Sequence, residues 1–401
     1  MNDSRNNQAR PVAPMSSPDL TEDERQAVAD VLKTPRLSMG PQAEAFEAEV
    51  AYYVGARFGV AVNSGTAGLH LCVRAAGISD GDLVLTTPFS FVASSNVLLY
   101  ERAVPVFVDV DPKTGNIDPD LVQQAAKELA SGGSAAERWL PRKGAPSSGR
   151  LKALLPVDVF GQPPEFDALN EIASHYELRV IEDSCEAIGA AYRDRPAGTL
   201  GDAGVFAFYP NKQLTTGEGG VIVTDREDWA QACRALRNQG RSVGDTWLAH
   251  SVLGYNYRLP EISAALGRAQ MKRLDQLLLR RDQVATWYRA ALGPVEGVEL
   301  PQIAATTTRM SWFVYVIRLR PGLDRDRVAA RLEAAGVPTR PYFPPIHLQP
   351  YFVDRFGYRP GDFPVAEDLG ARGLALPYSG VMTQDQVAQV AEALSMAIDE
   401  G

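Results

Sequence analysis

Cysteine and histidine are scarce in this chain, which has three of the first and four of the second among 401 residues. The cysteines (Cys72, Cys185 and Cys233) are odd in number and widely spaced, and the histidines are equally scattered. A disulfide framework or a zinc site needs such residues in pairs or close clusters. Neither is therefore predicted.

An excess of positive charge and a long apolar run are also absent from the sequence. The net charge is -9 at pH 7, which argues against a nucleic-acid-binding surface. No uninterrupted apolar stretch reaches the roughly 20 residues that a membrane-spanning helix needs. Residues Met1–Arg10 are polar and lack the apolar segment of a signal peptide. We expect a cytoplasmic protein whose partners are neither nucleic acid nor membrane.

Two common nucleotide-binding motifs are missing as well. No Gly-x-Gly-x-x-Gly follows the first predicted strand, and no Gly-x-x-x-x-Gly-Lys-Ser/Thr occurs. These motifs place glycine backbone against the phosphates of dinucleotides and nucleoside triphosphates. Dinucleotide-binding and P-loop functions are therefore disfavoured.

What the sequence does contain is a regular alternation of short apolar strands and helices, beginning near Gly59 and continuing to Asp183. This alternation predicts an α/β domain with a mostly parallel sheet and helices on both faces. We predict an N-terminal arm over residues 1–18, a large α/β domain over 19–290, and a smaller α+β domain over 291–401.

Two segments depart from the alternation. Residues 131–150 are rich in Ser, Gly, Pro and Arg without periodicity, which predicts an exposed surface insertion. One long helix is predicted from Pro260 to about Ala291, at the end of the large domain.

Lysine is scarce too, with seven in the whole chain. Lys212 alone stands between an aromatic strand, Val205–Phe208, and a Gly-rich turn, Gly217–Gly220. Desolvation of an amine favours its neutral, nucleophilic form, which a Schiff-base lysine requires. The alternative is a solvated loop lysine, which is the commoner case for any lysine taken alone.

A candidate anion site lies in Asn63-Ser64-Gly65-Thr66-Ala67-Gly68, between a predicted strand and a helix. Free backbone N–H groups at a helix N-terminus attract phosphate, and Gly65 allows close approach of the backbone. A plain N-cap by Ser64 or Thr66 is the alternative.

Asp183 ends a predicted buried strand, at the sheet edge where open α/β sheets bind ligands. Its carboxylate could hold a cation such as a protonated pyridine nitrogen, or could serve as a helix cap or ion-pair partner. Phe91 follows another strand at the same edge and could stack on a planar ring or pack in the core. In the turn Gly254–Pro260, Asn256 and Arg258 are possible phosphate ligands, or simply cap the loop.

Each of these signals is weak alone, but their order along the chain is informative. A phosphate-binding turn, an aromatic residue, a strand-end Asp and a lysine after a later strand are the parts of a pyridoxal phosphate site. We therefore predict this cofactor.

The motifs resemble those of the DegT/DnrJ/EryC1/StrS family of sugar aminotransferases, which are fold-type I pyridoxal phosphate enzymes. The resemblance extends from about Pro14 to Leu394. The matching segments are Ser64–Ala67, Thr87–Phe91, Pro156–Pro163, Glu182–Asp183, Tyr209–Lys212, Gly217–Gly220, Gly254–Arg258 and Tyr342–Tyr351.

The resemblance implies a large domain with a mostly parallel seven-stranded sheet between helices, and a role for each matched residue. Lys212 would form the internal aldimine and move the proton between substrate and cofactor. Asp183 would keep the pyridine nitrogen protonated, and Phe91 would stack on the ring.

The cofactor phosphate would be held by Gly65, Thr66 and Ala67. Asn256 of a second subunit would complete that site, in a homodimer with shared active sites. The segments that carry Arg258, Tyr342 and His347 would lie near the substrate.

Two positions depart from the commonest family pattern. Ala207 stands where a phosphate-binding Ser is usual, so one hydrogen bond is lost or replaced. Glu186 stands near the cofactor phenolic oxygen, where Gln or His is usual. Two anionic oxygens repel unless one is protonated, and we expect Glu186 to share a proton with the cofactor.

The function that the resemblance implies is transfer of an amino group from L-glutamate to a nucleotide-linked 4-keto-6-deoxy sugar, through pyridoxamine phosphate. The Thr215–Gly220 turn is similar to that of members that aminate C4. A C3 keto-sugar or a keto-inositol as acceptor, with glutamine as donor in the latter case, is the alternative. A sugar dehydratase is disfavoured because Lys212 is present, and a silent sensor because Asp183 and Lys212 are both intact.

Overall fold

The computed structural model describes residues 11–146, 149–242 and 244–399. The α-helices of these residues are α1 (Glu22–Leu32), α2 (Pro41–Val54), α3 (Gly65–Ala75), α4 (Ala93–Tyr100), α5 (Pro119–Ser131), α6 (Ser134–Glu137), α7 (Phe166–His175), α8 (Glu227–Arg237), α9 (Glu261–Met271), α10 (Leu274–Leu292), α11 (Arg325–Ala334), α12 (Pro350–Phe356), α13 (Pro364–Arg372) and α14 (Gln384–Asp399). None of the helices in this part of the chain is both long and apolar enough to cross a membrane.

The strands are β1 (Phe58–Val62), β2 (Leu83–Thr86), β3 (Val104–Phe107), β4 (Leu151–Leu155), β5 (Arg179–Asp183), β6 (Ala191–Tyr192), β7 (Arg195–Pro196), β8 (Ala203–Ala207), β9 (Gly220–Thr224), β10 (Val298–Glu299), β11 (Thr307–Arg309), β12 (Tyr315–Leu319), β13 (Arg340–Pro341) and β14 (Gly373–Leu376). Seven of them form the large sheet, in the order β1-β9-β8-β5-β4-β2-β3.

Strand β9 runs antiparallel to its neighbours β1 and β8, and every other neighbouring pair in the large sheet is parallel. The predicted α/β fold with a mostly parallel seven-stranded sheet is therefore confirmed. Parallel strands end at one edge, so the residues that follow β2, β4, β5 and β8 are brought together there.

Successive residues of the strands face opposite sides of the large sheet. Val60, Val62 and Ile222 are buried in a cluster with α3 and α8. Ala61 and Val221, one position along, are buried on the other face against α2, α9 and α10. Burial of apolar side chains on both faces is the main source of the sheet's stability.

The C-terminal part of the chain contains a second, antiparallel sheet in the order β10-β12-β14-β13. Its core is shared with α10, α11 and α14. Helix α10 contributes to both cores: Leu274 and Leu277 pack under the large sheet, whereas Tyr288 and Leu292 pack against the small one. The predicted division near residue 290 falls in the last turn of this helix.

The single long helix predicted from Pro260 to Ala291 is divided into α9 and α10, and that prediction is wrong in this respect. Arg273 interrupts the helical backbone with φ -124° and ψ 19°. Its guanidinium bonds to Glu24 at 2.7 Å and to Asp19 at 2.9 Å. These ion pairs draw the side chain toward the start of α1.

The predicted N-terminal arm and the predicted surface insertion both contact the rest of the protein where they are described. Residues 1–10 of the predicted arm lie outside the described residues, but Ala13 is buried in the core of the small sheet. In the 131–150 segment, Ser134–Glu137 forms α6 and Trp139 donates to Glu128 at 2.8 Å. Apolar side chains of these segments pack against the hydrophobic cores. The local composition did not predict these contacts.

Candidate active site

A cavity of about 500 Å³ opens at the carboxyl edge of the large sheet. Seven of the predicted site residues line it, namely Gly65, Thr66, Phe91, Asp183, Glu186, Lys212 and Tyr342. They come from segments up to 277 residues apart in the sequence (342 minus 65). The cavity is therefore a product of the fold and not of one local motif.

The phosphate-binding turn forms the N-terminus of α3. Ser64 caps the helix by accepting a hydrogen bond from Ala67 N at 3.1 Å, so the N-cap and the anion site coexist. A Cβ added at Gly65 would lie 2.7 Å from Cβ of Ala207 and 2.8 Å from Sγ of Cys185. Only glycine fits there, and the first N–H groups of the helix are left to face the cavity.

Asp183 is the last residue of β5 and is buried beneath the cavity. One carboxylate oxygen accepts from Cys185 N at 3.2 Å. Burial raises the pKa of Asp183, and the charge of Lys212 acts in the opposite direction. A desolvated carboxylate is stabilised by any cation brought to it, which makes Asp183 a good partner for a protonated ring nitrogen.

Lys212 lies in a turn closed by its own N–H, which donates to Tyr209 O at 2.9 Å. Its Nζ is 3.5 Å from Oε1 of Glu186 and 3.7 Å from the ring centroid of Phe313. The amine is thus held between a carboxylate and an aromatic face, inside the cavity.

Glu186 is buried opposite that amine. Its Oε2 accepts a hydrogen bond from Phe160 N at 3.0 Å, and Phe160 adopts a positive φ of 59°. Burial raises the pKa of Glu186, while Lys212 acts to lower it. Burial also raises the pKa of the nearby Tyr342 to about 12. Burial of Glu186 therefore favours its protonated form, and the charge of Lys212 opposes this.

Aromatic side chains form the rest of the wall. Phe91 is 63% exposed at the mouth of the cavity. Tyr342 stacks on Phe343, and both stack on Phe160 with centroids 6.3 and 5.1 Å away. Exposed Phe91 is available to pack against a planar ring.

The other predicted residues lie outside this cavity lining. Ala67 supplies only its N–H to the Ser64 cap. Asn256 accepts from Asn63 through its carbonyl, at 3.4 Å, and Arg258 donates to Asn238 Oδ1 at 3.0 Å. Both belong to the surface turn before α9.

His347 lies in the interior of the protein and is not among the residues that line the cavity. Its side chain is fully buried, and Nε2 lies 3.0 Å from Glu367 Oε1. A side chain held in this way in the interior does not reach the cavity. The place of His347 near the substrate stays a prediction.

Two residues of the site were missed in the sequence, namely Phe313, which lines the cavity, and Phe160, whose N–H donates to Glu186. Phe313 precedes a strand of the small sheet and looks there like a core residue. Phe160 lies within the Pro156–Pro163 motif, but no local signal shows that its N–H would reach Glu186. Long-range packing, which a single sequence does not display, brings both of them to the site.

Besides Asp183 and Glu186, two more carboxylates are buried close to the site. Asp158 and Glu182 are fully buried, and Asp158 N donates to Asp183 O at 3.0 Å. Glu182 accepts from Gly198 N and Leu200 N, whereas the carboxylate of Asp158 has no partner among the described residues. Burial and the neighbouring Glu182 raise the pKa of Asp158 well above its usual range.

The residues present fit pyridoxal phosphate. Helix N–H groups beside Gly65 suit a phosphate, Asp183 suits a ring nitrogen, Phe91 suits a ring face, and Lys212 supplies the amine. These four groups face one cavity of about 500 Å³.

Comparisons with known proteins identify the family of the chain. The profile of the DegT/DnrJ/EryC1/StrS aminotransferase family matches residues 18–395. A GDP-perosamine synthase of Caulobacter vibrioides is 36% identical over 388 residues, which cover 96% of this chain and 98% of that protein. The spore coat polysaccharide biosynthesis protein SpsC of Bacillus subtilis is 35% identical over 95% of this chain and 96% of its own.

A solved structure has a fold similar to that of this chain. DesV from S. venezuelae, crystallised in complex with a ketimine intermediate, superposes with a TM-score of 0.85. It is 32% identical, and the superposition covers 97% of this chain and 98% of the DesV chain.

Proposed function

Because the chain belongs to the DegT/DnrJ/EryC1/StrS aminotransferase family, we propose that it transfers an amino group from L-glutamate to a nucleotide-linked 4-keto-6-deoxy sugar. The chain is a pyridoxal phosphate-dependent aminotransferase of a family that acts on sugars. The identities of the donor, the sugar and the nucleotide are the proposed part.

One observation carries the chemistry: Asp183 and Lys212 line the same cavity, beneath the N-terminus of α3. Pyridoxal phosphate, when bound, carries the amino group between the two substrates and takes up electrons from the reacting carbon. The residues of the chain bind it, orient it and move protons around it.

Three groups would hold the cofactor. The N–H groups of Gly65 and Thr66 would bind the phosphate at the positive end of α3, whereas the N–H of the predicted Ala67 is taken by Ser64 Oγ. The buried carboxylate of Asp183 would keep the ring nitrogen protonated, and Phe91 would cover a ring face. Asn256 of a second copy would add to the phosphate site, in a homodimer.

Lys212 would act first as the nucleophile and then as the base that moves a proton at Nζ. Its amine is already confined between Glu186 and Phe313, at 3.5 and 3.7 Å. Confinement of the reacting group lowers the entropic cost of proton transfer.

The substrate assignment has two supports. The Thr215–Gly220 turn resembles that of C4-aminating members, and Glu218 and Gly219 of this turn line the cavity. Two relatives named GDP-perosamine synthase are 36% and 30% identical to the chain, which favours a nucleotide-linked sugar over a free inositol.

The test is the visible absorption spectrum of the protein with added pyridoxal phosphate, before and after L-glutamate. We expect a visible band that L-glutamate bleaches and that a nucleotide-linked 4-keto-6-deoxy sugar then restores. Bleaching by L-glutamine alone would contradict the donor, and restoration by a keto-inositol alone would contradict the acceptor. Lys212→Ala should show no such band, with Lys272→Ala, an exposed lysine, as the matched control.

A further inference from the structure

A buried arginine connects the Lys212 turn to the small sheet. Arg281 lies in the middle of α10 and is 5% exposed. Its Nε donates to Trp312 O at 2.7 Å, and its Nη2 donates to Phe313 O at 2.7 Å and to Asn211 O at 3.2 Å. We propose that Arg281 is a positioning residue that holds the amine of Lys212 in its reactive place.

The partners of Arg281 are unusual for a buried cation. No carboxylate of the described residues forms an ion pair with it, and beyond the three carbonyls its guanidinium has the ring of Tyr378, 5.2 Å away. Burying a charge costs free energy that carbonyl partners recover only in part. An apolar side chain of similar size would fill the same space, so the arginine is better explained by the geometry that it imposes.

That geometry is a planar fork with fixed donor directions. Nη2 holds the carbonyl of Asn211, the residue directly before Lys212, together with that of Phe313, and Nε holds that of Trp312. The Phe313 ring lies 3.7 Å from Nζ of Lys212. Arg281 therefore positions both the backbone next to Lys212 and the aromatic ring that its amine contacts.

The residue on the other side of Lys212 is attached to the same segment. Gln213 Nε2 donates to Ser311 Oγ at 2.8 Å and also to Glu186 O. Residues 211 and 213 are thus both tied to residues 311–313, one through Arg281 and one directly. The backbone on both sides of Lys212 is therefore held in place. A fixed backbone limits the positions that the flexible Lys212 side chain can reach.

The inference rests on the proposed role of Lys212 as the cofactor lysine, and it adds a residue that does not line the cavity. The test measures cofactor uptake instead of turnover. Wild type, Arg281→Met, Arg281→Lys and the control Arg289→Met, an exposed arginine of the same helix, are freed of cofactor. Pyridoxal phosphate is then added, and the growth and maximum of the visible band are followed.

We expect Arg281→Met to load about 10- to 100-fold more slowly than wild type, since a displacement of about 1 Å in a reacting group has effects of this size. Its band maximum should shift. Arg281→Lys, which keeps the charge but not the fork, should be intermediate, and Arg289→Met should match wild type. Wild-type loading and spectrum in folded Arg281→Met would overturn the inference. If Arg281→Met does not fold, Arg281→Lys decides in the same way.

A double-mutant cycle with Phe313→Leu separates positioning from a general loss of structure. If Arg281 acts on Lys212 through the ring of Phe313, the two substitutions are coupled. The slowing of cofactor loading in the double variant should then be smaller than the product of the slowing in Arg281→Lys and in Phe313→Leu. Multiplicative effects would contradict this route. A wild-type protein that gives no visible band would overturn the proposed function itself, whereas normal wild-type loading with unaffected variants overturns only the role of Arg281.

Discussion

Lys212 Nζ lies 3.5 Å from Oε1 of Glu186, and both side chains are largely buried. The carboxylate of Glu186 gives the amine a counter-charge. We predict that Glu186 lies near the phenolic oxygen of the cofactor, and in that position it would share a proton with this oxygen. Burial raises the pKa of Glu186, which favours this sharing.

Glu186→Gln is predicted to lower the midpoint of the pH titration of the visible band, by about one unit or more. The amide cannot accept the shared proton or supply negative charge, so the protonated form of the bound cofactor loses stabilisation. Spectra recorded from pH 5 to pH 10 measure the midpoint. An unchanged midpoint would refute the shared proton.

Ala207→Ser is predicted to tighten pyridoxal phosphate binding about five-fold, because one hydrogen bond to a charged group contributes about 1 kcal/mol. Ala207 lines the cavity beside Gly65.

Gly65→Ala should weaken pyridoxal phosphate binding, since its Cβ would lie 2.7 Å from Cβ of Ala207. Titration by absorbance gives both dissociation constants, and equal constants for all three proteins would disprove the placement of the phosphate.

Asp158→Asn is predicted to raise stability at pH 7 to 8. An acid with a raised folded-state pKa binds a proton on folding, so its stabilising contribution is complete below its ordinary pKa and is lost as the pH rises toward the raised value. Burial raises the pKa of Asp158, and burial likewise raises that of Glu182. Asparagine resembles the protonated acid and cannot ionise. The variant therefore lacks the loss of folding stability that Asp158 causes as the pH rises.

The measurement for Asp158→Asn is the melting temperature from pH 5 to pH 8. The variant should show a flatter decline with pH than wild type. The exposed Asp385 provides the matched control, Asp385→Asn. A decline as steep as that of wild type would mean that Asp158 is ionised in the folded protein.

His70→Ala is predicted to destabilise the protein by about 2 kcal/mol, because a buried hydrogen-bonded network loses its centre. His70 Nε2 lies 2.8 Å from Glu101 Oε1, and Nδ1 lies 3.2 Å from the Tyr257 hydroxyl. Tyr255 also donates to Glu101, at 3.2 Å. Asn256 lies between these two tyrosines, so cofactor affinity should fall as well.

Urea unfolding and cofactor titration test this prediction together. His175→Ala, at an exposed position of α7, is the control and should leave both unchanged. Loss of stability with unchanged cofactor affinity would show that the tyrosine pair does not hold Asn256 for the phosphate site.

The large sheet and the main cavity residues could be predicted because their signals are local. Apolar strands alternate with helices, and Gly65, Asp183 and Lys212 each occur in a short motif beside a strand. The motif order then specifies that they meet at one sheet edge. The match of the family profile over residues 18–395 confirms the identity that this order indicated.

What could not be predicted depends on contacts between distant segments. In the sequence Phe313 has the character of an apolar strand residue and Arg281 that of an ordinary helical arginine, and their relation to Lys212 exists only in the folded chain. The interruption occurs at Arg273, whose side chain forms ion pairs with Asp19 and Glu24 from a distant part of the chain. His347 matched a motif near the substrate, but the interior of the protein holds its side chain.

Helix α10 is shared by two hydrophobic cores, which limits how this chain can be recombined with its relatives. A chimera joined anywhere inside α10 would take half of the helix from one parent and half from the other. Leu274 and Leu277 would then face one parental core, while Tyr288 and Leu292 would face another. A crossover placed after Leu292 would instead pack Tyr288 and Leu292 of one parent against the small sheet of the other, and would set Arg281 of one parent against Trp312 and Phe313 of the other.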